Sequence, residues 1–210
     1  MLKTLRNAWK IKEIRTKLIF TFLMLVVIRF GSELPIPGVT TDFFANFFAN
    51  QSTDAFGFFN AMTGGSFSSM SIFALSITPY ITSSIIMQLL TIAIPKLEEM
   101  QRDGEDGRKK IAEYTRYLTV ALALIESIGM AVGFGGQGLL INYNVWSVVI
   151  AVATMTAGSA FLMWIGERIT EKGVGNGISI VLLFNIVSSL PQDVNTLYTR
   201  FLSNSKNIGS

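Results

Sequence analysis

The hydrophobic positions of this chain fall in long runs separated by short polar or glycine- and proline-bearing stretches. Runs of this length read as membrane-crossing helices, because about 20 apolar residues rising 1.5 Å each cover the hydrocarbon layer. The clearest is Met70 to Ile94, which carries no charge and is closed by Pro95. Pro79 inside it is expected to kink the helix or to free a carbonyl near residue 75. A shorter first span covers about 18–35, interrupted by Arg29 and Glu33 and ended by Pro35-Ile-Pro37-Gly38. A third covers 117–132 and runs into a turn holding Gly133, Gly135, Gly136 and Gly138. The fourth, 145–166, carries Ala153, Ala157, Gly158 and Ala160, sizes that suit close helix contact. The fifth, 174–190, has its apolar core from Ile178 to Leu190 and is stopped by Pro191.

The segments between the runs differ in kind. Residues 1–17 space Leu2, Leu5, Trp9 and Ile14 at roughly helical intervals among Lys and Arg, the pattern of an amphipathic helix on the cytoplasmic face or of a solvated basic tail. Residues 39–69 hold eight Phe together with Gly57, Gly64, Gly65 and many Ser, Thr and Asn. That stretch is too broken to span and too greasy for water. A re-entrant or plug-like segment buried in protein satisfies both constraints, and a loop resting on the outer interface is the plainer alternative. Residues 95–116 are half charged and read as a solvated cytoplasmic loop, 167–173 as a short cytoplasmic turn, and 192–210 as a disordered external tail.

Charge fixes the orientation. Fourteen of the 17 Lys and Arg lie in 1–17, 95–116 and 167–173, whereas 31–69 and 134–144 have none. Lys and Arg resist translocation, so this alternation puts the N-terminus and both basic loops in the cytoplasm and the C-terminus outside. Half the residues are hydrophobic, 15% are charged, and the mean hydropathy is +0.48, as a multi-pass membrane protein requires. The sequence pI near 9.2 then points to anionic lipid and acidic cytoplasmic partners, not to nucleic acid. The chain has no Cys and no His, so disulfides and the usual zinc and haem ligand sets are excluded, and no metal or cofactor is expected. A cleavable signal peptide is not expected, since no small-residue cleavage site follows the first apolar run.

Candidate chemistry is sparse. Arg29 and Glu126 are the charges that fall clearly within spans, and an intramembrane charge is a functional candidate by default. Arg29 can instead snorkel outward or pair with Glu33 one turn away. Glu126 lies nine residues past Tyr117, about 14 Å deep at helical rise, where packing and function are equally good readings. Without His there is no Ser–His pair or metalloprotease motif, and every Asp lies in a loop. The chain is therefore not expected to be an enzyme. Gly173-Val-Gly175-Asn176-Gly177 lacks the Lys-Ser/Thr of a phosphate loop and reads as a tight turn with close backbone approach. Five spans, repeated once, give halves of opposite topology, so the chain has the form of half an inverted repeat.

A set of short motifs, nearly end to end over 14–191, resembles the N-terminal half of the SecY family of bacterial protein-conducting channels. They are Arg29-Phe-Gly31, Leu34-Pro-Ile-Pro-Gly38, Gly64-Gly65, Ser71-Ile-Phe-Ala-Leu75 and Pro79-Tyr-Ile81 leading to Ile85-Ile-Met-Gln-Leu-Leu90. Gly104-Glu-Asp-Gly-Arg108, Tyr114-Thr-Arg-Tyr117, Phe161-Leu-Met-Trp-Ile-Gly-Glu167 and Gly175-Asn-Gly-Ile-Ser179 continue the series. Two positions depart from it. Ser76 stands where the family usually has Gly, which would stiffen a helix there, and Glu126 stands where it often has Gln.

The resemblance implies an all-α membrane protein, one half of an inverted-repeat channel, with five transmembrane helices and a re-entrant plug. Its second and fifth spans would line the pore. Ile77, Ile81, Ile178 and Leu182 would be this half's share of an aliphatic pore ring, and residues of about 55–69 (Phe56, Phe58, Phe59, Met62, Gly64, Gly65 and Phe67) would form the plug. Arg102, Arg108, Lys109 and Lys110 would face cytoplasmic partners. Those implied partners are SecE- and SecG-type subunits, the SecA motor and the ribosome, together with signal sequences and translocating polypeptides, in the bacterial plasma membrane. A half without its complement would be inactive and would self-associate through its unmatched face. One repeat of a secondary transporter is the alternative, and it calls for convergent polar groups at the midplane, where Glu126 alone qualifies. The geometry leaves a tension. By helical rise Ile77 lies about 26 Å from Ile94 but Ile178 about 8 Å from Gly173, so the two meet only if the fifth span starts in a cytoplasmic funnel or the second projects beyond the membrane.

Overall fold

On the longest helix small residues face inward and large apolar ones outward, the reverse of a helix in water. On the helix Glu105–Phe134, Thr115, Thr119, Ala123, Ser127 and Ala131 recur every fourth residue and are buried. Tyr117 and Ile125, on its other faces, are 73% and 63% exposed. Exposed apolar surface costs roughly 25 cal/mol per Å² in water but nothing against lipid tails, and small inward residues let helix backbones approach. Hydroxyls fasten these contacts: Ser83 and Thr119 lie 2.6 Å apart, and Thr156 donates to Ser127 at 3.2 Å.

The structure, a computed structural model, describes residues 11–41, 43–49 and 54–197. Among the described residues every element is helical: α1 Lys12–Ser32, α2 Phe43–Ala49, α3 Asp54–Met62, α4 Thr78–Ala93, α5 Pro95–Arg102, α6 Glu105–Phe134, a π-helical turn Gly135–Leu139, α7 Val145–Lys172 and α8 Gly177–Leu197. Two isolated antiparallel bridges, Pro35 with Ser71 and Val39 with Leu140, tie the connecting segments. The long helix α6 packs along α7 and α4; α7 in turn carries α1 and α8, and α3 rests on α8. Two helical stretches are long and apolar enough to cross a membrane, Glu105–Leu139 and Val145–Lys172. A third counts if α4 and α5, bent by 102° at Ile94, form one span.

Two cores result. One gathers Ile36, Phe44, Phe67, Met70 and Leu75 against Ala123 and Ala131 of α6 and Met155 of α7. The other joins Ile28 of α1, Phe73 and Ile77 to Leu162, Ile165 and Ile169 of α7 and Val181 of α8. Of the Phe residues of 39–69, Phe44 and Phe67 lie in the first and Phe43 and Phe59 pack against it. Phe44 is fully buried, stacks on Phe67 with ring centroids 4.7 Å apart, and meets Phe134 edge-on at 5.2 Å. Protein contacts, then, absorb much of the greasiness of this segment.

Several boundaries differ from the sequence reading, each for an identifiable reason. The run 70–94 is helical only from Thr78; residues 63–69 and 72–77 form consecutive turns, and Met70 and Ser76 have φ of +46° and +52°. Of residues 70–77 only Ile72 is not buried. Hydropathy registers burial in protein and burial in lipid alike, so the pattern could not separate an enclosed irregular segment from a span. Ser76 accordingly stiffens no helix. Pro79 produces no kink, because it occupies the first turn of α4, where a missing N–H costs nothing.

The charged block 95–116 is α5 and the first turns of α6. Ion pairs at helical spacing, Arg102–Glu98 at 2.6 Å and Lys109–Glu105 at 3.3 Å, support helices that remain solvated. Of its glycines, Gly104 makes the turn with φ +81°, while Gly107 sits inside α6 against the Met100 carbonyl. Likewise α7 continues through the expected turn to Lys172, and the glycine-rich turn at 133–138 is largely helical. Residues 12–17 belong to α1 and do not form a separate surface helix, while 1–10 lie outside the described residues. Pro191 fails to stop α8, which runs on to Leu197. One proline removes a single N–H, the donor to the carbonyl of residue 187, and the helix runs on with one bond fewer. Residues 192–197 are thus helical, and the remainder of the expected disordered tail, 198–210, lies outside the described residues.

Candidate functional site

The start of α4 and the start of α8 meet over one glycine. Ile77 precedes α4, Ile178 is the second residue of α8, and Gly166 of α7 lies beneath both. A β-carbon built on Gly166 would be 2.5 Å from Ile178 Cδ1 and 3.5 Å from Ile77 Cδ1. Ile77 and Ile178 do meet here, although Ile77 remains about 26 Å from Ile94 by helical rise, so α4 runs on well beyond the start of α8.

The turn before α8 is built for this approach. Asn176 Oδ1 accepts from the N–H groups of Ile178 and Ser179 at 3.1 and 3.3 Å, capping the helix. Thr170 Oγ1 donates to Gly166 O and accepts from Gly177 N, both at 2.9 Å. Gly177 packs against the Gly166 carbonyl with no room for a side chain, and Gly175 has φ +68°. The motif Gly175-Asn176-Gly177 is a helix-starting turn with close backbone approach, as its composition suggested.

Above this junction lies a groove of about 350 Å³, lined by Tyr80, Ile81, Ser84, Ile85 and Gln88 of α4, Asn176 just before α8, and Ile178, Ser179 and Leu182 of α8. Ile81 with Ile85, and Ile178 with Leu182, sit one turn apart and present one face each. Three of the four residues expected to form a ring, Ile81, Ile178 and Leu182, share this groove. The fourth does not line it: Ile77 is 1% exposed and packs in the core below.

The other candidates are placed as follows. Phe59 and Phe67 pack edge to face, with centroids 4.9 Å apart. Both line a second cavity of about 480 Å³ with Leu75, Thr78, Glu126, Gly129, Met130 and Phe134. Phe58 is exposed and Met62 half-buried; the Phe56 side chain is outside the described residues. Gly64 and Gly65 have φ of +65° and +85°, in the left-handed region that favours glycine. Arg102, Arg108, Lys109 and Lys110 are all exposed around the α5–α6 corner. Arg29 does pair with Glu33, at 2.8 Å, but its Nη1 also donates to Gly64 O at 3.2 Å and to Ser188 Oγ at 2.9 Å. Glu126 is half-buried and makes no hydrogen bond or ion pair among the described residues. Its carboxylate anchors nothing there, so Glu126→Gln should change stability by less than about 0.5 kcal/mol; an altered melting temperature in detergent would show that the carboxylate is used.

Sequence reasoning missed two contacts. Arg116 Nε donates to Glu167 Oε1 at 2.8 Å, joining α6 to α7, and Asn185 Nδ2 donates to Ser76 Oγ at 3.1 Å, with both residues buried. The second had a visible signal, a lone amide within the apolar run of α8.

A family model for SecY matches residues 71–209. The chain belongs to the SecY family. Among curated proteins, SecY translocase subunits of Pseudomonas aeruginosa, Escherichia coli K12 and Bacillus subtilis 168 are 46%, 46% and 44% identical to it over 88%, 85% and 96% of its length. The chain spans about half the length of the curated relatives it matches, 42%, 41% and 47% of these three. In fold it is similar to Sec61 of the canine ribosome–channel complex from the endoplasmic reticulum, with a TM-score of 0.59 at 19% identity, over 93% of this chain and 42% of that one. A solved protein-conducting channel gives the same figures. Membership of the SecY family gives Ser76 a physical reading. Its φ of +52° is one that glycine adopts freely and that costs other residues about 1 kcal/mol, which is the strain a Gly-to-Ser departure at this position implies.

Proposed function

We propose that the chain is the N-terminal half of a protein-conducting channel, which with its second half translocates secretory proteins across the bacterial plasma membrane and inserts membrane proteins into it. The observation that carries this reading is the shared groove of Ile81, Ile178 and Leu182 with Ile77 at its foot. Aliphatic side chains facing a narrow passage expel water, and so ions, yet deform around a polypeptide. The half itself does no chemistry, and the pore is passive, driven by its partners. The segment 55–69, packed by Phe59 and Phe67 against α6, is the plug. Five helices, α1, α4, α6, α7 and α8, are the spans, with the N-terminus in the cytoplasm and the C-terminus outside. The exposed basic corner at Arg102, Arg108, Lys109 and Lys110 faces the SecA motor and the ribosome, SecE- and SecG-type subunits complete the complex, and anionic headgroups hold the basic loops.

The functional test is restoration of secretion. Continued into its second half, the chain should rescue export of a periplasmic reporter in cells depleted of their own channel; accumulation of full-length protein without rescue contradicts the reading. Topology is tested separately. The chain has no Cys, so Thr40→Cys and Lys109→Cys are clean probes. An impermeant maleimide applied to intact cells should label the first and not the second, and the reverse result would invert the proposed orientation.

A further inference from the structure

Gly64 sits between two helices that hold it from opposite sides. On one side, Arg29 of α1 donates to its carbonyl at 3.2 Å. On the other, a β-carbon on Gly64 would lie 3.1 Å from Asn185 O and 3.2 Å from Asn185 Cα on α8. The same two residues reach further. Arg29 Nη1 also donates to Ser188 Oγ at 2.9 Å, one turn beyond Asn185. Asn185 Nδ2 donates to Ser76 Oγ at 3.1 Å, and Ser76 O accepts from Ser159 Oγ of α7 at 3.2 Å.

We propose that Arg29 and Asn185 form a clasp that fastens the C-terminal part of the plug at Gly64, and the stretch that leads on from it at Ser76, to the pore-lining helix α8, and that the strength of this clasp sets how readily a signal sequence opens the channel. The inference rests on the channel reading above. Residues 64 and 76 bracket the irregular stretch that leads from the plug helix to α4, so the plug cannot leave without parting Gly64 from α8, and the stretch cannot follow it without breaking the Ser76 bond. Asn185 and Ser76 are 5% and 2% exposed, in surroundings where a hydrogen bond is strengthened and a lost partner is costly. Ser76 is held in the left-handed region, so its hydrogen bond opposes the tendency of a non-glycine residue to leave that conformation. The Arg29 bond to Gly64 O is charge-assisted, and Arg29 is further oriented by Glu33. Both are positioning residues: neither needs to touch the translocating chain.

The test uses the full-length channel in cells, comparing export of one reporter with an intact and with a defective signal sequence. Asn185→Ala should raise export of the defective reporter roughly tenfold relative to the intact one. In a Ser76→Gly background, where the hydroxyl partner is already gone, Asn185→Ala should add little. Arg29→Lys, which cannot reach Gly64 O and Ser188 with a planar fork, should fall between wild type and Arg29→Gln. Asn185→Leu, of similar volume without the amide, should repeat the Asn185→Ala result if the alanine variant accumulates poorly. Unchanged discrimination at normal protein level, an equal effect of Asn185→Ala in both backgrounds, or failure of both Asn185 variants to accumulate would each overturn the clasp. If the wild-type channel exports neither reporter, the channel reading itself fails, and that outcome is distinct from these.

Discussion

Ile81→Gly in the full-length channel should raise ion leak through the closed pore by about tenfold, which corresponds to about 1.4 kcal/mol removed from the closed state. Ile81 is the ring residue on α4 that reaches the groove, whereas Ile77 is buried in the core beneath it. Removing its side chain widens and wets the passage, and also gives up the packing of Ile81 on the core beneath. Deleting 55–69 should act in the same direction, because it takes away the Phe59 and Phe67 contacts that hold this segment on α6. Less free energy then separates closed from open, and discrimination against defective signal sequences should relax as well. Single-channel recording in planar bilayers measures the leak. Equal conductance from wild type and Ile81→Gly, with a large change from Glu126→Gln, would favour a transporter in which Glu126 carries the coupling.

The second large effect concerns folding. A β-carbon on Gly158 would overlap the carbonyl of Ile72, which is backbone and has nowhere to go. Ile72 N donates to Leu34 O at 2.9 Å, and its neighbours Ser71 and Phe73 are buried, so the segment is pinned from both sides. Gly158→Ala should therefore cost about 3 kcal/mol or more, a large share of the ~5–15 kcal/mol that holds a domain together. Gly166→Ala offers the contrast. Its new methyl would meet the Cδ1 ends of Ile178 and Ile77, which can rotate aside, so this variant should fold and shift the ring instead. Folded yield after size-exclusion in detergent, with protease resistance, separates the two. Equal yields for Gly158→Ala and Gly166→Ala would show that the Ile72 contact is not rigid.

What could be read from the sequence divides along physical lines. The class, the family and the apolar runs 117–132 and 145–166 were legible, since long apolar runs and basic clusters are properties of composition, although the helices that contain them reach back to 105 and on to 172. So was the option of pairing Arg29 with Glu33, because i,i+4 spacing places both on one helix face. The irregular path through 63–77 was not, because residues enclosed by protein on every side carry the same hydropathy as residues facing lipid. Nor was the burial of Ile77, or the close approach of Gly158 to Ile72, which depend on how three helices and a loop converge. The Ser76–Asn185 bond lay between these cases: a lone amide at 185 was visible, but its partner 109 residues away was set by the fold.

The central claim is that one surface of this half, and no other, meets a translocating polypeptide. It is tested most directly by placing a photo-crosslinking amino acid at single positions of the full-length channel and arresting a secretory protein in transit. Ile81 and Leu182 line the groove, whereas Ile125 of α6 and Trp146 of α7 are 63% and 76% exposed on helices that do not line it. Crosslinks to the arrested chain should form at 81 and 182 and be absent at 125 and 146, where lipid should be labelled instead. Crosslinks at 125 or 146 with none at 81 and 182 would contradict the account.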